Sequence, residues 1–247
     1  MTKPFHEVSL APQIKEKNLS AWVFNDRVML AILSRDFLRK QLGKGRDADY
    51  FRCLANLLEA GCGVSLKAYI CRIFMEMRAH TETKSKEEDN SADLIVVPSM
   101  ISLLKTGGVF LAIYASAALV NLSNGNQAVK RILMGQGMAK TAVSNLQEKD
   151  DDLSYYTLML LVNLTKEPHN RSVIASAGLI PLLYDMLTSS YSQVRSATRQ
   201  TTQAAALASI AKERLLTQTC IVSGQFCNDD GFREQFVAPC HQLFLKM

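Results

Sequence analysis

Leu119-Val120-Asn121-Leu122-Ser123 returns 42 residues later as Leu161-Val162-Asn163-Leu164-Thr165. Self-similarity at about 40–47 residues is the signature of helix-built repeats. A common frame extends outward from this phrase. Leu58 stands before Gly61, Gly63 and the apolar stretch 64–77; Leu103-Leu104 stand before Gly107-Gly108 and the apolar stretch 109–122. Leu146 stands before an acidic turn at 148–152 and the stretch 153–164; Leu187 stands before Thr188-Ser189-Ser190 and the stretch 191–211. Leu58, Leu104, Leu146 and Leu187 are 46, 42 and 41 residues apart, so four units share the order leucine-rich helix, turn, long apolar helix. The expected fold is all-α, a helical solenoid whose core is built between neighbouring repeats.

Three regions follow from this frame. Residues 1–46 read as an N-terminal arm and capping helix: Asn25 can N-cap a helix through Val28, Leu30, Ala31, Leu33 and Leu38, and Gly43 ends it. Residues 47–212 hold about four repeats, and 213–247 read as a degenerate or truncated C-terminal repeat. The run 80–93, HTETKSKEEDNSAD, interrupts the frame. It carries one alanine and otherwise polar or charged residues, which predicts a solvated loop. Thr81, Thr83 and Ser85 would be exposed there as potential phosphorylation sites.

The stretch from Asn170 through Gly178, followed by Leu179-Ile180-Pro181-Leu182-Leu183, resembles the first two helices of an armadillo repeat. Ala117-Ala118-Leu119-Val120-Asn121-Leu122 and Leu160-Leu161-Val162-Asn163-Leu164 are similar to the end of that family's third helix, and the stretch from Val97-Pro98 to Leu104 is similar to its second. The physical chemistry agrees: Gly178 suits a left-handed turn at a helix end, and Pro181 falls in a first turn where a missing N–H costs little. The resemblance implies a right-handed α-α superhelix. It covers residues 47–212 and weakens at both ends, where Glu76 and Ser209 stand at the places of Asn121 and Asn163. Residues 231–239 are again similar to a first helix.

In the armadillo family the third helices line a concave groove, and its groove asparagine corresponds here to Asn121 and Asn163. Seven residues earlier, nearly two full helical turns, stand Tyr114 and Tyr156, with Tyr69 in the first unit. The expected protein-binding groove therefore comprises Tyr69, Arg72, Glu76, Tyr114, Asn121, Tyr156 and Asn163. The asparagines would hydrogen-bond an extended peptide's backbone and the tyrosines supply flat contact area. Four third helices about 10 Å apart would accommodate on the order of ten extended residues. The bland alternative is that the asparagines satisfy neighbouring helix ends and the tyrosines pack between repeats. Importin-α-like receptors carry tryptophan four residues before the asparagine; Arg72, Ala117 and Met159 stand there instead, and Trp22 lies outside the repeats.

Composition narrows the function. The 247 residues are 48% hydrophobic with a net charge of +5, and the positive residues are scattered. That is a mild bias towards acidic partners without the clustered footprint of a nucleic-acid binder. The most apolar run, 109–122, is too short to cross a membrane, and no signal peptide is visible. The cysteines at 53, 62, 71, 220, 227 and 240 make no C-x-x-C pair, and the histidines at 6, 80, 169 and 241 are dispersed, His80 and His169 in expected loops. No nucleophile elbow, P-loop or metal signature occurs. The resulting expectation is a non-enzymatic scaffold or adaptor without cofactor or metal, binding a peptide or helix of a protein partner in the cytoplasm, in a cytoskeletal or ciliary assembly. A nuclear-transport-type cargo receptor is the alternative, disfavoured by the missing tryptophans.

Overall fold

A computed structural model describes residues 48–59, 63–77, 91–197 and 203–236, and among these every regular element is helical. The expected arm at 1–46, Trp22, most of the charged run (80–90) and residues 237–247 lie outside the described residues. The chain divides into two compact units between Leu133 and Met134.

The first unit contains α1 (Ala48–Glu59), α2 (Val64–Met77), α3 (Ser91–Thr106), α4 (Gly108–Ser123) and most of α5 (Gln127–Gly135). Here α1 packs on α3 and α2 on α4, while α3 returns along α4. Second helices thus stack on second helices and third on third, as a solenoid requires. Phe51 of α1 and Phe74 of α2 are fully buried and meet edge to face, 5.1 Å between centroids. Ala112, Ala115, Ala117 and Ala118 are all buried, so the backbone of α4 can approach its neighbours closely. On the second-helix side, the Ser99 hydroxyl of α3 donates to the Glu59 carboxylate of α1 over 2.8 Å.

The turn between α3 and α4 depends on its two glycines. Gly108 has φ of +69°, and a Cβ on Gly107 would lie 2.6 Å from the Leu103 carbonyl oxygen. The expected second helix starting at Val97-Pro98 begins earlier, at Ser91, so the last three residues of the charged run are helical. Asp93 is buried and accepts from the Asn126 amide at 3.4 Å. Pro98 sits inside α3 on its exposed side, where its cost is one missing helical N–H.

The second unit contains α6 (Met138–Gln147), α7 (Asp151–Thr165), α8 (Pro168–Ser176), α9 (Leu179–Ala197) and α10 (Gln203–Cys227), followed by helical turns at 230–236. Asp150 caps α7, accepting from the Leu153 amide at 2.8 Å. Gly137 and Gly178 take left-handed conformations before α6 and α9. His169, expected in a loop, lies in the first turn of α8. Here α7 packs on α10, α9 on α10, and α6 on both α7 and α9.

The fourth repeat is longer than its sequence frame implies. Thr188-Ser189-Ser190 is not a turn: α9 continues to Ala197, and the third helix is α10, not 191–211. It crosses residue 212, where the repeat region was expected to end. Three side-chain contacts fix the register at 62 residues. Arg171 Nε donates to the Thr165 carbonyl at 2.7 Å, and Arg233 Nε to the Cys227 carbonyl at 2.9 Å. Gln225 stands 62 residues after Asn163, and its amide donates to the Val162 carbonyl at 3.3 Å. Buried Ile174 likewise corresponds to buried Phe236. The asparagine place of the fourth repeat is therefore Gln225, not Ser209. Relative to α6 (10 residues) and α7 (15 residues), α9 with 19 and α10 with 25 extend the hairpin by nine and ten residues, on the order of 14 Å of helix.

Candidate functional site

Third helices carry a repeating face. On α4 it runs through Phe110, Tyr114, Ala117 and Asn121; on α7 through Asp152, Tyr156, Met159 and Asn163; on α10 through Arg214, Gln218, Ile221 and Gln225. Steps of four, three and four residues on each helix return to nearly the same side.

In the first unit, Tyr114 is half-buried and meets Phe110 edge to face at 5.1 Å, while Phe110 itself is 52% exposed. Tyr69 is half-buried and Arg72 exposed on α2, the helix packed against α4. Glu76 lies in α2, and its side chain is outside the described residues. Asn121 is half-buried, and its amide donates to the Met75 carbonyl. This bridge has the same geometry as that of Gln225 to Val162: each amide reaches the carbonyl one residue before the asparagine place of the preceding third helix. Val64 and Val109, at the starts of α2 and α4, are exposed.

In the second unit, Tyr156 is half-buried and meets Tyr155 at 5.3 Å with the rings at 70°. Asn163 is only 6% exposed. The Thr165 hydroxyl lies against both the Leu161 carbonyl and the Gln225 amide oxygen, which ties the ends of α7 and α10 together. Arg214 is exposed, with its guanidinium 4.3 Å above the centre of the Tyr155 ring. A hydrogen bond to Tyr155 is the largest cause holding that guanidinium above its ordinary pKa. Lys212 of α10 pairs with Asp151 at the start of α7, over 2.6 Å. Ile221, next to the face's centre, is 41% exposed.

Sequence reasoning missed Phe110, Arg214, Gln218, Ile221 and Gln225. The available signal was the Asn170-Arg171 and Phe232-Arg233 correspondence, which sets the fourth repeat 62 residues on. At the three tryptophan places of importin-α-like grooves, Ala117 is buried, Met159 half-buried and Arg72 exposed; the fourth place is Ile221.

Other chemistry is sparse. Among the described residues no three His, Cys, Asp or Glu side chains gather as a metal site. No single helix among them is long and apolar enough to cross a membrane. Burial pushes the Cys71 thiol up to about 12, which removes it as a nucleophile at neutral pH.

No protein-family model matches the chain, and no curated protein matches it. Among solved structures it is similar to a designed armadillo repeat protein in complex with the peptide (KR)4, with a TM-score of 0.62 and 11% identity. The likeness covers 96% of this chain and 88% of that one. An armadillo-type, all-α helical repeat fold is thereby shown.

Proposed function

We propose that the protein is a non-enzymatic scaffold that binds a peptide or helix of a partner protein on its third-helix faces. The observation that carries this reading is the placement of accessible aromatic side chains on those faces: Phe110 with Tyr114 in one unit, and Tyr156, with Tyr155 stacked edge to face beside it, in the other. Partly exposed aromatic pairs offer large apolar area at low entropic cost and are typical of recognition surfaces. The similar designed protein is itself in complex with a peptide, which favours the same use of the fold.

Within that reading the asparagine places divide. Asn121 and Gln225 spend a donor on a neighbouring third helix, and Asn163 is buried. The aromatic positions carry the greater share of partner contact, with Tyr69 and Arg72 at the margin of the first unit's face. Cytoplasmic work in a cytoskeletal or ciliary assembly remains part of the proposal and rests on family range alone.

Site-specific photo-crosslinking tests the proposal. A benzophenone amino acid replaces Phe110, Tyr156 or, as a control on an exposed second-helix position, Arg52. Capture of the same protein at 110 and 156 but not at 52 supports the reading, and its identity tests the assembly. Equal capture at all three positions overturns it. A titration with (KR)4 addresses the transport-receptor alternative, for which the missing tryptophans predict no binding.

A further inference from the structure

Resting on the peptide-binding reading, the second unit's α7–α10 face has a charge and an apolar surface that single out one class of peptide. Lys212 is already paired with Asp151. Arg214 is different. Its guanidinium is held over the Tyr155 ring at 4.3 Å, and among the described residues no carboxylate lies within ion-pair distance. Asp152 attracts it from farther away. A guanidinium oriented by stacking keeps donors for a planar acceptor and loses little entropy when it binds one.

Seven residues along α10 from Arg214, about 10.5 Å of helix rise, Ile221 exposes 41% of its surface. Met159 is its counterpart on the packed neighbour α7 and is half-buried. The helix rise between positions 214 and 221 equals about three residues of extended chain.

We propose that this face takes an extended peptide in which an Asp or Glu pairs with Arg214 and an aliphatic or aromatic side chain, three residues away, packs on Ile221 and Met159. One guanidinium, in place of a cluster of arginines, favours a carboxylate over a phosphoryl group, since phosphopeptide sites typically gather several. The net charge of +5 acts in the same direction at longer range.

Selection of unphosphorylated random dodecapeptides displayed on phage against the full chain provides the test. The expected outcome is enrichment of sequences with an acidic residue and a large apolar residue three apart. The enriched peptide, labelled and titrated by fluorescence anisotropy, should bind Arg214→Glu at least about tenfold more weakly, consistent with loss of a charge-assisted pair. Arg214→Lys should retain part of the affinity, and Ile221→Ser should weaken binding independently, each with an unchanged circular dichroism spectrum and melting temperature. Enriched peptides without an acid, or with affinities indifferent to Arg214→Glu, would overturn this assignment while leaving peptide binding intact. An enriched peptide that binds at least about tenfold more tightly once its acid is replaced by phosphoserine overturns it in favour of a phosphoryl ligand. Failure to enrich any peptide overturns both readings together.

Discussion

The side-chain amide of Gln225 donates to the main-chain carbonyl of Val162, 3.3 Å away on the adjacent third helix. The Asn121 amide makes the equivalent bridge to Met75 in the first unit. A side chain that crosses from one repeat to the next near a helix end couples the two, because late carbonyls in a helix lack intrahelical donors. Gln225→Ala and Asn121→Ala should therefore each lower the unfolding free energy by about 1 kcal/mol, measured by urea denaturation with an unchanged slope. No stability loss in either variant would remove the bridging role and return both side chains to partner binding.

Much of the fold was legible because turn chemistry punctuates it from the second repeat to the opening of the fourth. Gly107-Gly108, Asp150 and Gly178 each do what their residue types favour. The fourth repeat was misread for an equally local reason. Thr188-Ser189-Ser190 has turn-forming residues, but the Thr188 hydroxyl bonds back to the Asp185 carbonyl at 2.9 Å and α9 continues through it. Hydroxyl side chains can return a bond to their own helix as readily as they can end it. At the site, the positions of Tyr114 and Tyr156 followed from helical period once the armadillo resemblance had marked Asn121 and Asn163. Phe110 was hidden in an apolar run whose exposed side only packing reveals, and Arg214 and Ile221 fell outside a frame drawn 20 residues too short.

Gly107 joins α3 to α4 with no room for a side chain. Its added Cβ would stand 2.6 Å from the Leu103 carbonyl oxygen and 2.7 Å from Leu111 Cβ, and neither is the far end of a flexible chain. Gly107→Ala should cost about 1–3 kcal/mol, the range for forced overpacking. Thermal unfolding followed by circular dichroism checks this, and an unchanged midpoint would mean that the turn relaxes freely.

Arg171 and Arg233 occupy the same place in successive repeats, yet they should differ in energetic weight. The Arg171 side chain is 10% exposed, donates to the Thr165 carbonyl and pairs with Asp229 at 2.9 Å. Arg233 is 52% exposed, and its partner Asp230 is almost fully solvated. Arg171→Ala should lose about 2–3 kcal/mol because it strips a charge-assisted bond from a buried carbonyl and leaves Asp229 unpaired. Arg233→Ala should lose less than about 1 kcal/mol. Equal losses in urea denaturation would show that the shared carbonyl bond dominates and burial does not.

Cys71 gives the protein a defined weakness to alkali. Burial raises its thiol from near 9 to about 12 in the folded chain. Below pH 9 both states hold the proton, and the thiol contributes no pH dependence. As pH rises beyond that, the unfolded thiolate forms while the folded thiol does not, so the unfolded state is favoured by about 1.4 kcal/mol per pH unit. The loss levels off once the folded thiol also ionises, near pH 12. Other groups titrate in the same range, so the measurement is the difference in unfolding free energy between wild type and Cys71→Ala from pH 7 to 11. A constant gap below pH 9 should become progressively unfavourable to the wild type above it, and a gap that stays constant throughout would place the Cys71 thiol in a wetter setting than its burial implies.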